Sequence, residues 1–253
     1  MLAELLALNA FQLMLVFARV GAAVMLLPGI GELTIPARVR LAFALALSVI
    51  VLPVVGERLP GPPAQPAALV LLLGGEVLLG IAIGTMARIL VSALQVAGTV
   101  IAYHSGMGTA NLFDPSAGQQ GAMIGAFLAT LGVTLLFVTG LHQVLIAGVV
   151  DSYTSLPPGG GIPAGDLADA ATRIVGLSFK LGLEIAMPTV IIAFLLLVAM
   201  GLMARLMPQV HIFFVALPVQ VGAGLFVFAL TLSTAMLVFL DRFSDALGEL
   251  WVR

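Results

Sequence analysis

Five ionisable side chains interrupt otherwise apolar sequence: Arg19, Glu76, Arg88, Lys180 and Glu184. Charge in such surroundings is costly, and it is retained where it pairs, relays protons or lines an ion path. Lys180 and Glu184 are four residues apart on one helical face and can pair locally. Arg19 or Arg88 could neutralise Glu76 across a helix contact. Structural pairing, an inter-subunit contact and a conducted ion all remain open at this level. The histidines, His104, His142 and His211, have no second histidine four residues away and no acidic neighbour, so neither a zinc helix nor an oriented base is visible. Ser105 follows His104 and Asp114 lies nearby, but adjacency does not supply a base held by a third group. The chain reads as a non-enzyme, with no cofactor or metal expected.

A sixteen-residue stretch with almost no charge, residues 106–121, stands between two long apolar runs and reads Gly-Met-Gly-Thr-Ala-Asn-Leu-Phe-Asp-Pro-Ser-Ala-Gly-Gln-Gln-Gly. Backbone rich in glycine and small polar residues cannot face lipid with unpaired groups, so at membrane depth it must be buried in protein or line water. That makes it a candidate gate.

The elements around these residues are helices. Residues 5–27 form a first apolar run, long enough to cross about 30 Å of hydrocarbon. The opening Met1-Leu2-Ala3-Glu4 has no positive flank, so the run is expected to be a retained helix and not a signal. Pro36 opens a second helix, whose apolar part at 41–55 is short for a span, before a breaker at 56–66. Residues 67–103 are either one over-long helix or two bent near Arg88. Residues 122–150 are another over-long run, followed by a polar connection at 151–165 centred on Pro157-Pro158-Gly159-Gly160-Gly161. A helical hairpin with arms at 171–204 and 210–240, joined through Arg205 to Gln209, ends in an amphipathic tail at 241–253. Gly80 with Gly84, and Gly121 with Gly125, are small-residue pairs suited to close helix packing.

Composition agrees: 61% of the 253 residues are hydrophobic and 9% charged, against about 25% charged in soluble domains. Mean hydropathy is +1.21. An all-α integral membrane protein with about six long apolar helical segments follows. The net charge of −2 includes no basic block, which makes nucleic acid a poor partner. Cysteine is absent, so thiols carry no information on compartment.

Three ordered blocks carry a resemblance. Residues 27–41, with Pro36, Arg38 and Arg40 turning into the second helix, are similar to the amino-terminal signature of the FliR/SctT family of type III export gate subunits. A second block begins at Gly75-Glu76 and passes through Gln95-Val96-Ala97-Gly98 to Gly106-Met107-Gly108, Asp114-Pro115 and His142. A third is Gly201 to Gln209, continuing to Leu217-Pro218. The chain departs from the pattern at His211, at Gln220, where a basic or hydroxyl residue is common, and at Thr139-Gly140-Leu141-His142.

The resemblance implies a core subunit of the flagellar export gate in the cell inner membrane at the basal body, assembled with FliP, FliQ and FlhB and passing unfolded flagellar proteins. It implies a FliP-like part at 1–156 that includes the gate loop 106–121, a connection at 157–170, and a FliQ-like hairpin and tail at 171–253. The family's plug matches the loop, which makes Gly106, Met107, Gly108, Leu112, Phe113, Asp114 and Pro115 its candidate residues. Arg19, Arg38, Arg40, Glu76, Arg88, Lys180, Glu184, Arg205, Pro208 and Gln209 are candidates for subunit contact or intramembrane pairing. The injectisome relative is one alternative. The other is an ion-coupled transporter or small channel working through Glu76.

Overall fold

A computed structural model of the chain describes residues 2–107, 120–161, 163–207 and 212–251, and the side chains of these except at 2–9, 120–122, 212–215 and 249–251. Among the described residues every regular element is helical: α1 Leu2–Val24, α2 Ala37–Val55 with a 3-10 turn at Gly56–Arg58, α3 Pro66–His104, α4 Gln120–Val138, α5 Leu141–Ser155, α6 Ala164–Leu206 and α7 Ile212–Trp251.

The second helix starts where the sequence places it: Pro36, with φ −54°, precedes α2, which begins at Ala37 and carries Arg38 and Arg40 within its first turns. Other boundaries and spans differ from the sequence expectation, each for a local reason. With its 3-10 turn α2 runs 22 residues, long enough to span after all. Residues 67–103 belong to one helix, unbroken at Arg88. The run at 122–150 does break, at Gly140, where φ is +79° and α4 and α5 diverge by 77°. Helix α5 continues through Asp151 to Ser155, and α6 starts at Ala164 with Asp166 in its first turn, where a carboxylate complements the helix dipole. The connection is therefore shorter than 157–170. The tail is no separate element, because α7 runs unbroken to Trp251.

Four helices among the described residues are long and apolar enough to cross a membrane: Ala37–Arg58, Pro66–His104, Ala164–Leu206 and Ala216–Gly248. The bent pair Met123–Val138 and Leu141–Ser155 makes five if it counts as one broken span, and Ala10–Val24 is shorter. At 1.5 Å per residue α3, α6 and α7 would measure about 58, 64 and 60 Å, roughly twice the ~30 Å of a hydrocarbon core.

Two compact units divide the chain. The first comprises Met1–Leu90, Leu136–Val175 and Ser244–Arg253. Its core is built from Leu15, Val20 and Val24 of α1, Ala44 and Val51 of α2, Leu79 and Ile83 of α3, and Leu145 and Val149 of α5. Here α1 and α3 run parallel: Gly80 abuts the Arg19 carbonyl and Ala22, and Gly84, one turn on, abuts Ala23 and Leu26. A Cβ at Gly84 would lie 2.7 Å from the Leu26 Cβ, so glycine is what lets the two helices approach. The second unit comprises Val91–Leu135 and Gly176–Phe243. Leu94 and Ile101 of α3, Leu128 of α4, Ala186 of α6 and Phe239 and Phe243 of α7 fill it.

Polar residues within these apolar helices largely turn inward on their own backbone. The hydroxyls of Ser48, Ser105, Thr130, Thr134 and Thr231 each donate to a carbonyl one turn earlier, which hides their polarity without a tertiary partner.

Candidate functional site

Arg19 lies on α1 where that helix packs on α3, and its side chain is wholly buried. Its guanidinium has five N–H donors, and five acceptors meet them. Nε donates to Glu76 Oε2 at 2.7 Å and Nη2 to Glu76 Oε1 at 3.0 Å, the two-pronged geometry that carboxylate and guanidinium share. Nη1 donates to the Ser152 carbonyl and to Ser152 Oγ, both at 3.1 Å, and Nη2 also donates to the Leu156 carbonyl at 2.8 Å. Those carbonyls belong to the carboxyl end of α5, where the helix dipole favours a cation. Tyr153 covers the guanidinium face with its ring centroid 4.2 Å from Cζ, and its hydroxyl donates to the Val16 carbonyl at 3.3 Å. One side chain thus joins α1, α3 and α5, and Glu76, 2% exposed, is held on both oxygens.

The remaining charges are arranged differently. Arg88 pairs with Glu32, in the turn after α1, at 4.0 Å, both about half exposed. Lys180 pairs with Glu184 at 3.8 Å, with the lysine 70% exposed on α6. Neither pair is buried, and a charge exposed on an apolar helix at membrane depth calls for a protein or aqueous neighbour. Arg38 is exposed; Arg40 Nη1 reaches the Gly31 carbonyl at 3.4 Å, and Arg40 Nε is buried without a partner among the described atoms. Arg205 is exposed in the last turn of α6. Pro208 and Gln209 lie outside the described residues.

The glycine-rich loop is described only at its root. Helix α3 ends at His104, Gly106 takes φ +80°, and half-buried Met107 follows. Gly108, Leu112, Phe113, Asp114 and Pro115 lie outside the described residues. At the root, Gln220 Nε2 of α7 donates to the His104 carbonyl at 3.0 Å. Gly224, one turn further along α7, sits directly against the Cβ of Ser105. The two helices flanking the loop touch through glycine as well, Gly98 of α3 lying on the Gly125 backbone of α4.

The break between α4 and α5 is closed by its own side chains. Phe137 and His142 stack at 4.8 Å with a 16° interplanar angle, and His142 Nδ1 lies 3.5 Å from the Leu136 carbonyl. An added Cβ at Gly140 would meet nothing within 4 Å, so only its left-handed torsion restricts the residue type. Gly140→Val is expected to lower stability by about 1–2 kcal/mol, while Gly140→Asn falls by less, as thermal unfolding of the purified protein would read.

Ser152, Tyr153, Leu156, Glu32 and Gly224 were not singled out by the sequence, and Gln220 stood out only as a departure from the family pattern. Asp151-Ser152-Tyr153-Thr154-Ser155, a polar cluster ending an apolar run, was the one available signal for the Arg19 partners. The contribution of Ser152 and Leu156 through main-chain carbonyls has no residue signature.

Comparison with known proteins finds relatives over most of the chain. The family model described as bacterial export proteins, family 1, matches residues 10–246. The flagellar biosynthetic protein FliR of Caulobacter vibrioides is 39% identical over 94% of this chain and 96% of its own. The protein of the same name from Aquifex aeolicus is 32% identical over 92% and 90%. Yop proteins translocation protein T of Yersinia pestis is 27% identical over 69% and 67%.

Proposed function

The chain belongs to the bacterial export proteins, family 1, and from that membership we propose that it is a core subunit of a flagellar type III protein export gate in the inner membrane. The observation that carries this is the 39% identity to a flagellar biosynthetic protein over nearly the full length of both chains. The Yop translocation relative extends the theme to a second protein-export system at lower identity and coverage. Export of protein is the shared activity, and the flagellar system is the closer match of the two.

Within such a gate, residues 1–156 act as a FliP-like part and 171–253 as a FliQ-like hairpin, with FliP, FliQ and FlhB as neighbours and unfolded flagellar proteins as cargo. The loop 106–121 closes the lumen, with Met107, Leu112 and Phe113 as apolar seals and glycines that let the backbone rearrange at small steric cost. Three physical features support membership of an assembly. Helices longer than the bilayer requires, exposed ion pairs at Arg88 and Lys180, and the all-round exposure of α6 beyond Phe194 ask for protein neighbours in place of lipid.

The transporter alternative loses its centre. A carboxylate gripped by a two-pronged guanidinium and shut from solvent is a structural pair, poorly suited to exchange an ion with two compartments in turn.

Native mass spectrometry of the chain, mildly extracted after co-expression with its FliP-like and FliQ-like neighbours, tests the assembly. A hetero-complex is expected; a monomer or symmetric homo-oligomer under several mild conditions would overturn it. Deleting residues 106–121 from the assembled complex is expected to raise small-solute permeability several-fold in a swelling or flux assay. Unchanged permeability in complexes of normal composition would remove the plug.

A further inference from the structure

The last turn of a helix leaves carbonyls without intrahelical donors, and those of α3 lie where the glycine-rich stretch departs. Ser105 N–H and Oγ both return to the Ile101 carbonyl, at 2.8 and 2.7 Å, and the Gly106 N–H reaches the Tyr103 carbonyl at 3.3 Å. The His104 carbonyl instead receives the Gln220 amide from α7.

The surroundings make this contact specific. Gly224 lets α7 pass so close to Ser105 that a side chain there would overlap it, which fixes the height of α7 against the α3 terminus. Gln220, one turn earlier, then projects onto Gly106: an added Cβ at Gly106 would meet Gln220 Cδ at 3.3 Å. Gly106 is therefore constrained twice, by φ +80° and by the Gln220 side chain. Pro218, two residues before Gln220, has no N–H, so this part of α7 is one backbone bond short and easier to displace than a regular helix.

We propose that Gln220 is a positioning residue for the carboxyl end of α3: its amide, seated on the His104 carbonyl, holds the final turn of α3 and ties it to the first turns of α7. The requirement at 220 is for a donor long enough to reach that carbonyl. Displacement of α7 releases the His104 carbonyl, and retention of α7 keeps the α3 terminus in place. Its consequence for permeability rests on the plug reading above; the clamp itself does not.

The two are separated by measuring both in the assembled export complex. Gln220→Met keeps length and removes the donor, and Gln220→Lys keeps a donor at similar reach. Hydrogen exchange of a peptide covering 101–107 is expected to run roughly 2- to 10-fold faster in Gln220→Met, the worth of one net hydrogen bond, with Gln220→Lys near the parent. Equal exchange in Gln220→Met and the parent, or equally fast exchange in Gln220→Lys and Gln220→Met, overturns the clamp. Faster exchange in Gln220→Met alone supports it. If solute leak rises alongside, clamp and plug stand together; if leak is unchanged, the clamp stands and does not control the plug, which the deletion of residues 106–121 tests separately.

Discussion

Glu76→Leu is expected to cost about 3–5 kcal/mol, the usual penalty for leaving one member of a buried pair without the other. Since domains are stable by roughly 5–15 kcal/mol, the variant should scarcely accumulate in membranes. The reason lies with Arg19, which stays charged, stays buried, and retains only the carbonyls and hydroxyl at the end of α5. Glu76→Gln should fail in the same direction, because an amide presents an N–H to a guanidinium made entirely of donors. Arg19→Lys should not rescue: a compact ammonium offers three donors where five acceptors are arranged around a planar fork.

The double variant Arg19→Met with Glu76→Leu removes both charges and should recover most of the loss. Recovery stops short of complete, because the part-buried Leu156 carbonyl loses its donor, a penalty of about 1 kcal/mol. Protein abundance and protease resistance of the four variants, measured in parallel in membranes, decide the matter. Full assembly of Glu76→Gln with lost ion flux would instead restore the transporter reading.

Gly98→Val carries the second large effect. The space a Cβ would occupy is already filled by the Gly125 backbone, with the Ile124 carbonyl carbon 2.8 Å away. Neither obstacle is a side chain that can rotate aside, so α3 and α4 must separate. Overpacking usually costs about 1–3 kcal/mol and more where backbone is displaced; the expectation here is the upper end or beyond, with an altered span for the loop between these helices to bridge. Gly201→Val is the matched control, since a Cβ there meets nothing within 4 Å. Thermal unfolding of the isolated chain should separate the two variants clearly. If Gly201→Val folds normally and yet lowers the yield of hetero-complex, that face of α6 is one a partner covers.

The sequence was most informative where chemistry is confined to side chains. Arg19 and Glu76 stood out because charge in apolar surroundings is rare, and Lys180 with Glu184 because a spacing of four defines a helical face. It could not choose between Arg19 and Arg88 for Glu76, since that choice depends on α1 and α3 running parallel, which one-dimensional periodicity does not encode. Arg88 goes to Glu32, which sits in a turn where an acidic residue draws no attention. The break at Gly140 was hidden by the uniform hydrophobicity on both sides: a glycine among 28 signals a left-handed torsion only once the backbone is seen. The ends of α5, α6 and α7 were misplaced because polarity was taken as a terminator, whereas Asp151, Asp166 and Asp241 are all accommodated within helices. At the loop root, the contacts of Gln220 and Gly224 were unreadable for a different reason, since their partners are a carbonyl and a small side chain more than a hundred residues away.

The five bonds of Arg19 also set a timetable. Leu156, the last acceptor to be made, lies 137 residues downstream of the arginine. At about 5–20 residues per second, a ribosome takes roughly 7–30 s to cover that distance. Throughout that interval the first helix carries a cation whose final lodging has not been translated, so α1 must either wait at the insertion machinery, keep Arg19 in contact with water, or accept Glu76 as a provisional partner after the first 57 residues. Slowing or pausing synthesis between Glu76 and Leu156 would lengthen the exposure of that half-satisfied charge, which makes the middle of the message the stretch where translation speed governs how much of this subunit reaches its folded state.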